Sequence, residues 1–455
     1  MEAVLTQPIA QQRLTYEDLF APFRESLKPE SLWRVGTEAE KFGVLEDSFA
    51  PLPYAGPRSV SSVLDALAAR YGWQPEREYD GGEVIALKRG EASITLEPGA
   101  QLELSGAPFK SIHETHAEWV EHIAELRAIG SSLGIAWLGL GFHPFAKLSE
   151  MPSVPKLRYG IMRDYLPRRG SMGLDMMRRT CTVQANLDYS SEEDALRKLR
   201  VALALSPVIT AMFANSPFYE GAPSGERTRR ARVWLNTDPD RTGLLPFMWE
   251  ATASFARYVE WALDVPMFMV KRGSKVVHNT GQTFRAFMRD GFQGVQADAN
   301  DWLTHLGTMF PEVRLKKTIE IRGADSLSYA LTPALPALCK GLFYDAATLA
   351  KAEALATPIG YALAEGVRAD VAARGLQAEL AGRPVLAWAR EVEALARAGL
   401  MSLYEHEADP RGDESAYLDP LAALLARAES PADALLAAID STRPLAPQVV
   451  ANSRL

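Results

Sequence analysis

The sequence predicts an α+β protein with a helical C-terminal region, and three observations carry that expectation. From residue 33 to about 345, short apolar–polar alternations alternate with Gly and Pro punctuation and a few longer helical patterns. After residue 346 the composition shifts to Ala, Leu, Arg and Glu at helical spacing. The whole chain of 455 residues is 47% hydrophobic and 23% charged, an ordinary globular composition that excludes extended disorder, collagen-like repeats and a disulfide-stapled scaffold. The expected organisation is a lead-in over 1–30, an α+β unit over 31–345 and a helical region over 346–455 packed on it.

Taken in order, a short helix is expected over 16–27, then helices over 111–133, 192–214 and 252–263. The tail should hold helices over 362–376, 385–400, 420–428 and 432–439. No repeat period is present, and neither a P-loop nor a GxGxxG opening a helix occurs; the Gly139 and Gly141 pair is too short a signal for dinucleotide binding.

Charge and cysteine usage narrow the function classes. Lys plus Arg number 49 against 57 Asp plus Glu, a formal charge of −8, which argues against a nucleic-acid-binding surface but leaves room for a small anionic ligand at a local Arg cluster. The longest nearly apolar stretch, 133–142, is too short to span a bilayer, and the N-terminus lacks a charged n-region followed by an apolar segment. Cys181 and Cys339 lie far apart and read as reduced, buried thiols, with a single long-range disulfide as the alternative. A cytoplasmic protein without membrane or nucleic-acid partners is expected, monomer or homodimer being open.

Four β-like segments carry unusual polar faces. In 34–42, Glu38 and Glu40 are two residues apart and point to one side of a strand, where paired carboxylates can hold a hard divalent cation. The segment 93–106 reads as two strands broken at Pro98 and Gly99, with Thr95 and Glu97 and then Gln101 and Glu103 on the polar face. In 180–188, Thr182, Gln184, Asn186 and Asp188 oppose Cys181, Val183, Ala185 and Leu187. In 314–322, read as one strand, Arg314, Lys316, Thr318, Glu320 and Arg322 share a face. Any one such segment is ordinarily a solvated sheet face; four together, favouring Glu, Gln, Asn and Arg, point to a site that binds metal and phosphate. As neighbours in one antiparallel sheet they would form a carboxylate-lined trough with Arg at one side.

Other clusters are weaker. His113 and His116, at i, i+3 on an expected helix, are a metal-binding pair by spacing, but among Glu114 and Glu118 they read first as a solvated helix face. Arg227, Arg229, Arg230 and Arg232 follow a Gly/Pro loop at 221–225 and are either an anion-gripping loop or a solvated cluster. Asp238 and Asp240 fall in a turn-rich stretch and read as turn caps.

At the stretches 33–42, 96–108, 173–188, 214–218, 240–243 and 310–316 running into 320–325, the sequence resembles the plant and proteobacterial type of glutamate–cysteine ligase. The resemblance implies a fold related to glutamine synthetase, in which a curved antiparallel sheet forms a funnel for ATP, magnesium ions and the acyl substrate. It implies phosphorylation of the glutamate γ-carboxylate and attack on the acyl phosphate by the amino group of cysteine, the first step of glutathione synthesis. Carried onto this chain, Glu38, Glu40, Glu97, Glu103 and Glu320 would be magnesium ligands, Gln184 and Asn186 would hold metal or nucleotide, and Arg322 would steady the transferring phosphoryl group. Arg230 or Arg232 would grip the substrate. The regulatory disulfides of plant members do not carry over, since the matching positions for one bridge are His116 and Pro333, and 277–291 has no cysteine for the other. A related ligase with another amine acceptor and a non-catalytic nucleotide-binding protein are the alternatives.

Overall fold

A computed structural model describes residues 13–273 and 275–455, so the N-terminal part of the lead-in lies outside the described residues. A nine-stranded sheet forms the centre. Its strands are β1 (Val35–Leu45), β2 (Gln74–Arg77), β3 (Val84–Arg89), β4 (Ala92–Leu96), β5 (Leu102–Ser105), β6 (Ile135–Leu138), β7 (Val183–Leu187), β8 (Val313–Leu315) and β9 (Ile319–Ile321). The order is β8-β9-β7-β1-β5-β4-β3-β2, with β6 beside the far half of β1, and every pairing is antiparallel. The four segments with polar faces are therefore neighbours, as the trough requires.

β1 is the keystone because it changes partners along its length. Val35 to Ala39 pair with β7, Glu38 to Lys41 with β5, and Phe42 to Leu45 with β6. At that fork Lys41 turns its fully buried ammonium to the apolar side, where it donates to Ala39 O at 2.8 Å and lies 3.1 Å from His122 Nε2. Burial pulls the ammonium down to about 7.

Helices cover the apolar face and build the C-terminal region. α1 (Val60–Tyr71) opens at Ser59 and closes on left-handed Gly72. α2 (Ile112–Leu133) starts with a capping box in which Ser111 and Glu114 satisfy each other's backbone, and ends at left-handed Gly134. α3 (Glu192–Met212), α4 (Arg229–Trp234), α5 (Ala334–Phe343), α6 (Tyr361–Arg374) and α7 (Val385–His406) follow. α5 and α7 cross in backbone contact, since a Cβ on Gly399 would sit 2.0 Å from Gly341 O. One hydrophobic cluster joins sheet residues such as Val35 and Ile321 to tail residues such as Trp388 and Leu400.

The expected helices over 111–133 and 192–214 match α2 and α3, 362–376 becomes α6, and 385–400 runs on to His406. Two strand expectations change. The segment 314–322 is a hairpin rather than one strand: Lys316 N–H donates to Thr318 O at 3.0 Å, the chain reverses, and Arg314 pairs in register with Glu320. The segment 180–188 is regular only over β7, because Thr180 and Thr182 make single bridges to Phe142 and Asp325 instead of a ladder. Both cysteines are buried free thiols. Among the described residues no helix is long and apolar enough to cross a membrane.

Candidate active site

Register brings the polar residues into rows across one face. Glu320 lies opposite Asn186, Gln184 opposite Glu38, Glu38 opposite Ser105, Glu40 opposite Glu103, and Glu103 opposite Thr95. Cross-strand partners point to the same side, so Glu38, Glu40, Glu103, Gln184, Asn186 and Glu320 share one surface. It is no solvated face: Glu40 is 9% exposed, Glu103 7% and Glu320 0%.

Glu97 joins them from the turn after β4. Ala100 N–H donates to Glu97 O and Glu97 N–H to Gln101 O, each at 2.9 Å. The turn packs so tightly on Arg178 that a Cβ on Gly99 would lie 2.3 Å from its carbonyl oxygen. Gln101 is a buried strut here, accepting from Gly99 N at 2.8 Å and donating to Thr180 O at 2.9 Å.

The carboxylates divide electrostatically into two groups. Burial, with repulsion from Glu320 and Glu103, pushes Glu38 up to about 7. Burial also raises Glu40, aided by Glu97 and Glu103, and raises Glu103, aided by Glu97. Their hydrogen bonds are few: Glu38 accepts from Asn186 Nδ2 at 3.0 Å, Glu40 from Thr182 N at 3.0 Å, and Glu103 from Ser105 Oγ at 2.6 Å and Thr95 Oγ1 at 3.2 Å. Glu320 is the opposite case. Burial alone would raise it, but Arg314, Arg322 and Lys316 together hold it well below the usual carboxylate range.

Buried carboxylates that repel one another are a donor set that fits a hard, oxygen-loving cation such as magnesium. No cage is preformed, since among the described residues no group of three or more His, Cys, Asp or Glu side chains is arranged to hold a metal ion.

The cationic side is built around Arg322. Its Nη1 donates to Gln184 Oε1 at 2.6 Å and pairs with Glu320, and its guanidinium lies 5.9 Å from the Trp234 ring and 5.8 Å from Phe310. Those rings, with Arg230, Glu312 and Arg368, line a pocket at the edge of the trough. Arg230 is 3% exposed and donates from Nη2 to Arg322 O at 2.8 Å.

Arg232 does not join it. Two residues along α4 it points away, its Nε bonded to Glu226 at 2.7 Å and its Nη2 to Ala369 O at 3.3 Å. The rest of the cluster is ion-paired outside the site, Arg227 with Asp433 and Arg229 with Glu226. Asp188 lies on the polar side of β7 but pairs with Lys28 at 2.8 Å. His113 is no free solvated side chain, since its Nδ1 lies 2.8 Å from Tyr417 Oη and its Nε2 3.0 Å from Gly412 O. Asp238 does close its turn, accepting from Asp240 N at 3.1 Å, and is buried against Arg241.

Sequence reasoning missed Trp234, Phe310, Glu312 and Arg368, which reach the pocket from three separate segments. It also missed Lys156 and Tyr159, which bond Leu96 O at 2.8 and 2.7 Å beside Glu97. The basic stretch around Arg158 was the available signal.

Comparison with known proteins places this geometry. The model of glutamate–cysteine ligase family 2 matches residues 34–451. The chain is 43% identical over 440 residues to glutamate–cysteine ligase B, chloroplastic, of rice, covering 96% of this chain and 85% of that one. It is 44% identical over 395 residues to the chloroplastic glutamate–cysteine ligase of Brassica juncea, covering 86% and 76%. Against that of Arabidopsis thaliana it is 41% identical over 432 residues, covering 94% and 80%. Among solved structures, glutamate–cysteine ligase of Francisella tularensis in complex with AMP shares the fold at a TM-score of 0.53 and 12% identity, covering 92% and 87% of the two chains. A bifunctional glutathione synthetase from Pasteurella multocida does so at 0.52 and 14%, covering 97% of this chain and 54% of its own. The expected cytoplasmic location is overturned by the plant relatives, since the rice, Brassica juncea and Arabidopsis thaliana ligases are named chloroplastic.

Proposed function

Because this chain belongs to glutamate–cysteine ligase family 2, we propose that the polar face of its sheet activates the glutamate γ-carboxylate with ATP and passes the γ-glutamyl group to the amino group of cysteine. The chain is a ligase of that family, whose relatives are glutamate–cysteine ligases and catalyse the first step of glutathione biosynthesis. ATP transfers its γ-phosphoryl group to the γ-carboxylate, leaving ADP and an acyl phosphate. The cysteine nitrogen attacks the acyl carbon, and phosphate leaves as the C–N bond forms. No covalent protein nucleophile is needed.

The single observation that carries this mechanism is the cluster of half-buried Glu38 with buried Glu40 and Glu103, lacking enough positive charge, beside the cationic edge of Arg322. Glu38, Glu40, Glu97 and Glu103 would hold magnesium, with Glu320, kept ionised by its cations, completing the set. When bound, magnesium supplies the positive charge that lets a carboxylate approach a polyphosphate. Arg322, fixed by Gln184 and Glu320, stabilises charge on the transferring phosphoryl group. Gln184 and Asn186 orient the nucleotide from the floor, and Arg230 grips the glutamate carboxylate in the side pocket. The α+β part over 31–345 carries the chemistry, and the region over 346–455 supports it, reaching the pocket through Arg368.

Purified protein given ATP, magnesium, glutamate and cysteine should release phosphate and form γ-glutamylcysteine. Candidate amines competing in one reaction test the acceptor. An amine with a higher kcat/KM than cysteine would change the substrate and keep the mechanism, whereas nucleotide binding without turnover would make the protein non-catalytic.

A further inference from the structure

Asp325 follows β9 in the loop that leaves the sheet, and its carboxylate is 1% exposed. An isolated buried carboxylate is costly unless hydrogen-bonded, and this one is bonded at both oxygens. Oδ2 accepts from Asn215 N and from Ser216 Oγ, each at 2.7 Å. Oδ1 accepts from Thr228 Oγ1 at 3.0 Å and lies 4.0 Å from Arg230 Nη1. The space is cut to fit, since a Cβ on Gly141 would lie 2.2 Å from the Asp325 carboxyl carbon.

Two of those partners, Thr228 and Ser216, lead to Arg230. Thr228 is the N-cap of α4, its Oγ1 accepting from Ala231 N at 3.1 Å, and so it sets where the helix begins. Ser216 Oγ accepts from Arg230 N at 3.2 Å. The Arg230 guanidinium donates to Gly323 O at 3.4 Å and Arg322 O at 2.8 Å, the carbonyls just before Asp325. The same loop is tied to the trough, because Thr182 Oγ1 donates to Ala324 O at 2.6 Å and Ser326 Oγ to Glu40 O at 2.5 Å.

We infer that Asp325 is the positioning residue of the substrate pocket: by holding the cap of α4, the Ser216 turn and the exit of β9 on one carboxylate, it aims the Arg230 guanidinium at the glutamate carboxylate. The inference rests on Arg230 gripping glutamate, as proposed above. Asp325 touches no substrate and acts only through Arg230, so its loss weakens glutamate binding without a matching effect on ATP.

Steady-state kinetics of wild type, Asp325→Asn, Ser216→Ala and Arg230→Lys, with glutamate and ATP varied separately, test this. Asp325→Asn should raise the glutamate KM about tenfold and Ser216→Ala about threefold, with the ATP KM within about twofold of wild type. Arg230→Lys added to Asp325→Asn should raise the glutamate KM by less than it does alone, because both remove one interaction. Ser216→Ala keeps the test decisive if Asp325→Asn does not fold. A raised glutamate KM in Arg230→Lys with an unchanged one in Ser216→Ala and Asp325→Asn, or glutamate and ATP KM values rising in parallel, would overturn the positioning role alone. A glutamate KM unchanged in Arg230→Lys would remove the pocket assignment on which it rests, and the inference with it.

Discussion

Arg314 and Glu320 lie opposite each other across the β8–β9 hairpin, with Arg314 Nε 3.0 Å and Nη2 2.7 Å from one carboxylate oxygen and Nη2 2.8 Å from the other. Both are buried, and Arg314 also donates to Met309 O at 2.9 Å, so the pair fastens the hairpin to the chain before it. Removing one partner of such a pair leaves a buried charge under-compensated. Arg314→Met should therefore cost about 3 kcal/mol in urea unfolding, and Arg314→Met combined with Glu320→Met should cost less than the single change. A single variant that unfolds like wild type would show that the pair has no structural role.

The raised pKa of Glu38 makes a signed prediction for the metal-free protein. Its folded value of about 7 lies above the ordinary 4.5, so the native state binds the extra proton between those values. The associated stability is fully present below 4.5 and is lost as pH rises to about 7. Wild type should thus lose stability relative to Glu38→Gln across that window, measured by urea unfolding at a series of pH values. Magnesium should restore it above the window in wild type, by offsetting the ionised cluster. A pH-independent difference between the two proteins would remove Glu38 from the repelling cluster.

Lys41 predicts the mirror case. Its folded value of about 7 lies below 10.5, so the native state favours the neutral amine and binds fewer protons than the unfolded chain between them. Stability from this group is present above 10.5 and falls away as pH drops to 7. Wild type should accordingly gain stability over Lys41→Met as pH rises through that interval, read from paired unfolding curves. Parallel curves would mean that Lys41 keeps its proton in the folded protein.

The crossing of α5 and α7 leaves no room for a side chain. A Cβ at Gly399 meets backbone oxygen at 2.0 Å, and one at Gly341 meets Ala396 O at 2.1 Å, so neither neighbour can rotate away. Gly399→Ala should cost about 3 kcal/mol despite its better helix propensity. Calorimetric melting would register it as a large drop in Tm, and an unchanged Tm would place the helices farther apart.

Much of the site was legible because strand period alone assigns faces. Glu38 with Glu40, Thr95 with Glu103, and Gln184 with Asn186 needed only alternation, and the antiparallel sheet placed them side by side. The hairpin was not legible, since Arg314 to Arg322 keeps the same alternation whether straight or folded, and Lys316 to Thr318 carry no Gly or Pro to announce a turn. Arg230 and Arg232 were indistinguishable by composition; only the start of α4 at Thr228 decides which faces the pocket. Lys41 broke the alternation of β1 inward, a signal that a charge was to be buried. The pocket residues Trp234, Phe310 and Arg368 come from distant segments, and no local pattern could have joined them.

The most direct measurement follows the oxygen of the glutamate γ-carboxylate. With that carboxylate labelled with heavy oxygen, turnover with ATP, magnesium and cysteine should release phosphate carrying one labelled atom from each glutamate, because an acyl phosphate surrenders its bridging oxygen to the leaving group. Labelled γ-glutamylcysteine formed with wholly unlabelled phosphate would contradict carboxylate activation on this sheet.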